Sequence, residues 1–81
     1  MAQQSFQPDG NYMLPYLRQW REYRLMTRGE LAAAAGMSES TVVKLENQTQ
    51  AARISTIAKL AAALKVTREQ LVWEAPPERG N

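Results

Sequence analysis

The chain has 81 residues and a formal net charge of +2, and it contains neither cysteine nor histidine. This composition excludes disulfides, thiolate metal sites and the usual zinc ligands, and it removes the most common general base and the thiol nucleophile. We therefore expect one domain that holds no metal or cofactor and is not an enzyme.

The positive charge is concentrated in the middle of the chain. Residues 11–73 carry nine of the ten Lys or Arg residues but only five of the eight Asp or Glu residues. A basic domain is what binding to a polyanion requires, although a solvated basic surface gives the same count. The longest apolar run, Leu31–Ala35, is far shorter than a membrane span, and the N-terminus lacks the features of a secretory signal. We therefore expect a cytoplasmic protein.

The two ends of the chain lack apolar periodicity. Residues 1–10 contain Gln, Pro, Asp and Gly, and residues 75–81 contain two prolines and a glycine. We expect a flexible N-terminal arm over 1–10, a folded domain over 11–74 and a flexible C-terminal tail over 75–81.

The folded domain begins with a predicted helix 1, from about Tyr12 or Met13 to Arg24. Pro15 is compatible with this helix only in the first turn, where its missing N–H is not needed. The 3.6-residue period predicts a buried stripe made of Met13, Leu17, Trp20 and Arg24.

The ends of helices 2 and 3 are marked by local signals. Thr27 and Glu30 have the spacing of a capping box that begins helix 2, and Gly36 ends it because glycine adopts the left-handed conformation without penalty. Ser38 is a good N-cap, which predicts helix 3 from there to about Asn47. Two capped helices joined by so short a turn predict a helix-turn-helix, in which one face of the second helix stays exposed.

Two more helices follow a polar loop over residues 48–52. Helix 4 is predicted from Ile54 to Leu64. Thr67 and Gln70 form a second capping box that begins helix 5. No strand alternation is present, so we predict an all-α fold, a compact bundle of five helices. The inner face of helix 4 is expected to hold Ile57, Leu60, Ala61 and Leu64.

Residues 28–47, RGELAAAAGMSESTVVKLEN, resemble the helix-turn-helix of the phage lambda-type repressor and Cro family, also called the XRE family. The resemblance extends over roughly residues 13–72 and implies a lambda-repressor-like domain that binds double-stranded DNA. Two positions depart from the family pattern: Gln48 stands where Gly is usual, and Ala52 where Pro is frequent. The family's spacings are matched by Leu31, Ala32, Gly36, Val42 and Leu45.

The resemblance also implies which residues contact DNA. Contacts to base edges are expected from the exposed face of helix 3, through Glu39, Ser40 and Lys44. Arg28 stands where the family usually has a Gln that contacts phosphate. Phosphate contacts are expected from helix starts and from the loop after helix 3, through Arg28, Ser38, Asn47, Thr49 and Arg53.

Other residues have expected structural roles. Arg21 and Glu46 match a pair that joins helix 1 to the end of helix 3 in the family, so we expect a structural ion pair. A short last helix leaves apolar area uncovered, and a dimer seam is therefore expected from Leu71, Val72 and Trp73. Trp20 and Trp73 lie in apolar periodic runs, which favours core or dimer contacts over base stacking.

The predicted function is a sequence-specific transcriptional regulator, a repressor that binds a pseudo-palindromic operator as a homodimer. Two alternatives remain open. One is an antitoxin, in which the same domain binds DNA while another surface neutralises a protein toxin. The other is a protein-interaction module whose helix 3 has no role on DNA. Catalysis is not expected, because the carboxylates are scattered over different helices.

Overall fold

The computed structural model of the protein describes residues 6, 7 and 9–78, and five helices and one small antiparallel ribbon lie within them. In the ribbon, Asn11 pairs with Arg53 and Tyr12 with Ala52. The prediction of an all-α bundle is confirmed, with this ribbon as the addition. The elements are β1 (Asn11–Tyr12), α1 (Leu17–Tyr23), α2 (Arg28–Ala35), α3 (Glu39–Glu46), β2 (Ala52–Arg53), α4 (Ile54–Leu64) and α5 (Arg68–Trp73).

The first helix begins later than its apolar period predicts. Because Asn11 and Tyr12 pair with β2, the chain is extended at the position where a helix was expected, and Pro15 lies in the turn before α1. Leu14 is 1% exposed and enters the core, whereas Met13 is 39% exposed. The prediction that Met13 lies on the buried stripe is therefore wrong.

The predicted capping boxes are both present. Thr27 Oγ1 accepts a hydrogen bond of 3.0 Å from the Glu30 amide, and Glu30 Oε1 accepts one of 2.8 Å from the Thr27 amide. Thr67 and Gln70 repeat the arrangement at 3.0 and 2.9 Å. Each box satisfies two amides that have no partner inside the helix, so the starts of α2 and α5 depend on residues three positions apart.

One apolar core joins all five helices. The predicted inner face of α4 is confirmed, and Trp20 is a core residue with 3% exposure. Leu71 and Val72 are also in the core, at 0% and 6% exposure, so the expectation that they form an uncovered dimer seam is wrong. The core consists of Leu14, Leu17, Trp20, Leu31, Ala32, Ala35, Val42, Leu45, Ala52, Ile57, Leu60, Ala61, Leu64, Leu71 and Val72.

Side chains of α1 and of its C-cap residue hold the C-terminal ends of two other helices. The indole Nε1 of Trp20 donates to the carbonyl oxygens of Gln70 (3.2 Å) and Glu74 (2.8 Å) at the end of α5. Arg24 Nε donates to the carbonyl oxygen of Leu64 (2.7 Å) at the end of α4. The carbonyls of Leu64 and Glu74 lack donors within their helices, whereas that of Gln70 also accepts from the Glu74 amide at 3.0 Å. These bonds fasten the ends of α4 and α5 to α1. Arg24 therefore acts through its guanidinium at the surface and is not a buried member of the stripe.

The predicted flexible ends fall in part outside the described residues, which exclude 1–5, 8 and 79–81. Phe6 is described, and it packs against Tyr12 and Trp73, so this residue is not free. Residues 74–78 contain no helix or strand. Within the described residues, no helix is long and apolar enough to span a bilayer.

Gln48, which stands at the family's usual glycine position, adopts the left-handed conformation with φ of 59°. That conformation costs an L-residue about 1–2 kcal/mol relative to the right-handed one. Gln48 is exposed and follows Asn47, the C-cap of α3. The helix therefore ends as it would with glycine, but with strain at one residue.

We expect Gln48→Gly to raise the free energy of unfolding by up to about 1 kcal/mol. Removal of the left-handed strain is partly offset by the greater backbone freedom of glycine in the unfolded chain. Urea denaturation measures the change. Gln50→Gly is the matched control, because Gln50 is exposed in the same loop and lacks a positive φ. A stabilisation of equal size in Gln50→Gly, or none in Gln48→Gly, contradicts the assignment of strain.

Candidate nucleic-acid interface

The turn between α2 and α3 depends on the left-handed backbone of Gly36, with φ of 70° and ψ of 40°. Its amide donates to the carbonyl of Ala33 (3.2 Å), and the next amide, of Met37, donates to the carbonyl of Ala32 (2.9 Å). This pattern is a Schellman ending, which closes α2 and reverses the chain. Nothing lies within 4 Å of a Cβ built on Gly36, so the requirement for glycine is conformational and not steric.

Ser38 is the N-cap of α3, as predicted. Its Oγ accepts a hydrogen bond of 3.2 Å from the Thr41 amide and lies 2.9 Å from Thr41 Oγ1. A second hydroxyl, Ser40 Oγ, is 3.4 Å away. The beginning of α3 is thus a small cluster of exposed or half-buried hydroxyls, in which Ser38 already has a structural role. Its contact with phosphate stays a prediction.

The two sides of α3 differ in exposure. Val42 and Leu45 are 0% exposed and face the core. The residues predicted to contact bases, Glu39, Ser40 and Lys44, are all exposed. The helix is therefore anchored by one side and presents a polar side, which has the geometry needed to enter a major groove.

The Glu39 side chain lies beside the first turn of α2. A Cβ built on Gly29 would be 3.5 Å from Glu39 Oε1, so the carboxylate approaches the backbone where a larger residue would stand. The N-terminal end of a helix carries partial positive charge and favours a nearby carboxylate. In the unbound protein, Glu39 is thus directed toward α2, which the sequence pattern did not indicate.

A buried carboxylate joins α1, α2 and α3. Arg21 Nε donates to Glu46 Oε2 at 2.5 Å and Arg21 Nη2 to Oε1 at 3.3 Å, so the predicted ion pair is confirmed. Arg28 Nε donates to the same Oε1 at 3.0 Å, a contact the sequence analysis missed. The side chain of Glu46 is 1% exposed, that of Arg21 10% and that of Arg28 39%. The hydrogen bond to Glu46 raises the pKa of Arg21 above its ordinary value.

Arg28 therefore has a structural partner in addition to its predicted role at phosphate. Its Nε is engaged by Glu46, and the half-buried side chain leaves the outer end of the guanidinium at the surface. Within the cluster one carboxylate faces two guanidinium groups, but the Glu30 and Glu39 carboxylates lie at the same first turn of α2. A phosphate at this position would therefore be held by the Arg28 guanidinium itself and not by a net positive charge of the helix start.

The loop after α3 and the start of α4 hold the remaining predicted phosphate residues. Asn47 is the C-cap of α3, and Thr49 donates from both its amide (3.0 Å) and its Oγ1 (3.2 Å) to the carbonyl of Lys44. Arg53 is exposed and immediately precedes α4. Thr49 thus fastens the loop to the end of α3, while Arg53 directs a cation to the surface.

An open cleft brings Arg53 together with residues from α3 and from the segment before α1. Thr41 reaches this cleft from α3 and Asn11 from β1. The sequence contains no local signal for this grouping, because Asn11 and Arg53 lie far apart in the chain and are brought together by the ribbon. The cleft is lined by Asn11, Thr41, Gln50, Ala51, Ala52, Arg53, Ser55 and Thr56.

Comparisons with known proteins also identify a helix-turn-helix domain in this chain. The sequence profile of the helix-turn-helix family matches residues 17–71. The chain is 42% identical over 60 residues to the HTH-type transcriptional regulator RghRB of Bacillus subtilis strain 168, and the match covers 73% of the chain but only 43% of RghRB.

Solved structures of regulatory proteins are similar in fold to this chain. The restriction-modification controller protein C.AhdI of Aeromonas hydrophila is 27% identical with a TM-score of 0.70, and the match covers 73% of this chain and 89% of that one. SinR of Bacillus subtilis, the master regulator for biofilm formation, was solved in complex with DNA. It is 28% identical with a TM-score of 0.65, and the match covers 68% and 89% of the two chains.

We expect Glu46→Ala to destabilise the domain by about 3–5 kcal/mol, because two partly or fully buried guanidinium groups lose their counterion. Urea denaturation at neutral pH measures the loss. The matched control is Glu22→Ala, which removes an exposed i, i+4 pair with Arg18 whose side chains are 63% and 55% exposed. That pair contributes at most about 0.5 kcal/mol. Equal losses in the two variants would show that the Glu46 cluster acts as a surface contact.

Proposed function

The chain belongs to the helix-turn-helix family of the XRE type, and from this membership we propose that it is a transcriptional repressor that reads a pseudo-palindromic DNA operator with α3 in the major groove. The observation that carries the proposal is the exposed polar side of α3, set between the Gly36 turn and the buried Glu46 cluster. SinR, which shares this fold, is a DNA-bound regulator in its solved structure. The chain spans less than half the length of RghRB, so the activity of a longer protein is part of the proposal.

Base reading is assigned to three residues on α3. Lys44 donates to guanine O6 or N7, and Ser40 pairs with a donor or an acceptor. Glu39 accepts from cytosine N4 after it leaves the first turn of α2, or it acts against sequences that place a phosphate or an acceptor there. These side chains carry no core packing, so they are available to a base edge.

Phosphate contacts are assigned to both sides of the groove. Arg28 and Ser38 lie at the starts of α2 and α3, and Asn47, Thr49 and Arg53 lie between the end of α3 and the start of α4. Arg53 is the strongest of these on charge, because the described residues give it no ion-pair partner. Phosphate contacts orient the domain on the duplex and carry no sequence information directly.

The proposed protein acts as a homodimer with one recognition helix per half-site, so half-site centres are expected about 34 Å apart. Repression then follows from occlusion of RNA polymerase. Of the three residues predicted for the dimer seam, Trp73 alone keeps a partly exposed side chain. No observation in the described residues, and none of the similar proteins reported above, supports the antitoxin alternative.

We expect Lys44→Ala to weaken binding to the preferred operator by about 1–3 kcal/mol and to abolish the preference at one base pair per half-site. The operator is first selected from a random pool of DNA duplexes, and dissociation constants are then measured on it and on single-base variants. An unchanged preference in Lys44→Ala means that this residue does not read a base. Failure of the pool to yield any enriched sequence favours the interaction-module alternative.

Arg53→Ala is expected to weaken all sequences alike and to lower the salt slope of log K by about one. Lys65→Asn is the matched control, because it removes one positive charge at the opposite end of α4, about 18 Å along the helix. Asn also tolerates the left-handed conformation of Lys65, which has φ of 61°. Equal slopes in Arg53→Ala and the unaltered protein would exclude a phosphate contact at Arg53.

A further inference from the structure

An aromatic cluster attaches the segment before β1 to the last helix. The ring of Phe6 lies 4.8 Å from that of Trp73 and 5.1 Å from that of Tyr12, and the Tyr12 and Trp73 rings are 6.2 Å apart. The guanidinium of Arg68 lies 5.4 Å from the Phe6 ring centre. Rings at these separations attract each other beyond the effect of burial. Phe6 is therefore held to α5 from two sides.

The same segment is bound to the loop that precedes α4. In the ribbon, Tyr12 pairs with Ala52 and Asn11 pairs with Arg53. Tyr12 therefore belongs both to the aromatic cluster, through its ring, and to the ribbon, through its backbone. Ala52 is 2% exposed and is the buried end of this loop. Two strands of two residues each are marginal without packing against other elements, and for β1 that packing comes from Phe6 and Trp73.

The loop between α3 and α4 has few other attachments. Residues 47–50 are exposed, and Gln48 is strained. Thr49 fastens the early part of the loop to Lys44, while the ribbon holds its last two residues, one of which is Arg53. The backbone of Arg53, from which its side chain extends at the start of α4, is thus held by an element from the other end of the chain.

We propose that Phe6 is a positioning residue for DNA binding: through Tyr12 and the ribbon, it holds Arg53 in the place where a phosphate is contacted. The inference rests on the proposed function, since it assigns Arg53 to DNA. Phe6 would act by contacts within the protein and would not itself touch DNA. Without Phe6, the ribbon loosens, and DNA must order Arg53 on binding. The expected penalty is about five- to thirtyfold in affinity, the cost of fixing the backbone of one residue.

The test is a double-mutant cycle on the selected operator with Phe6→Ala, Arg53→Ala and the double variant. We expect Phe6→Ala to weaken binding by about five- to thirtyfold in the unaltered background and to have no effect when Arg53 is already Ala. In a Lys44→Ala background the loss from Phe6→Ala is expected in full, because Lys44 lies on α3, outside the ribbon. Phe6→Tyr keeps the aromatic ring, so this variant is expected to bind the operator with the affinity of the unaltered protein.

Amide hydrogen exchange of the free protein separates positioning from general loss of structure. In Phe6→Ala, exchange is expected to accelerate at residues 11–12 and 52–53 and to stay unchanged in α2 and α3. Acceleration throughout the domain overturns the proposal, as does a loss of affinity that persists in the Arg53→Ala background. If the unaltered protein binds its operator and Phe6→Ala binds equally well, the inference fails alone. If the unaltered protein binds no DNA, the proposed function fails with it.

Discussion

The Glu46 carboxylate, the last side chain of α3, is enclosed by two guanidinium groups that come from α1 and α2. Removing a carboxylate from water costs several kcal/mol, and three hydrogen bonds from Arg21 and Arg28 offset that cost. Because the bonds are directional, they hold the end of α3 at one distance from the two preceding helices. The Gly36 turn holds its beginning. The exposed side of α3 is oriented by these two points together.

Helix α1 has a comparable role for the rest of the domain. Trp20 and Arg24 donate to carbonyl groups at the ends of α5 and α4, and Arg21 also donates to the carbonyl of Met26 at 2.8 Å. These carbonyls would otherwise face the interior or the surface without a protein donor. No buried side-chain nitrogen or oxygen among the described residues lacks a partner. The polar groups of the interior are thus used to orient helices, while apolar burial supplies most of the driving force.

Side chains that hold the helix-turn-helix together differ from those to which the proposed function assigns DNA contacts. Val42, Leu45 and Glu46 connect α3 to the domain, whereas Ser40 and Lys44 contact little within it. Under the proposed function, a change on the exposed side therefore alters which DNA sequence is bound without a large change in stability. Arg28 is the exception, because it forms an ion pair with the buried Glu46 and also lies at the surface where a phosphate contact is proposed.

Features that depend on neighbours in the chain were predictable from the amino-acid sequence. These features are the capping boxes of Thr27 and Thr67, the end of α2 at Gly36 and the inner face of α4. Each depends on residues within one or two helical turns, so the distance between them along the chain determines whether they meet in the structure. The start of α1, the second partner of Glu46 and the burial of Leu71 and Val72 depend on contacts between distant segments. Such contacts depend on which helix or strand packs against which. The apolar period of one segment shows which of its faces is buried, but it does not show which other segment packs on that face.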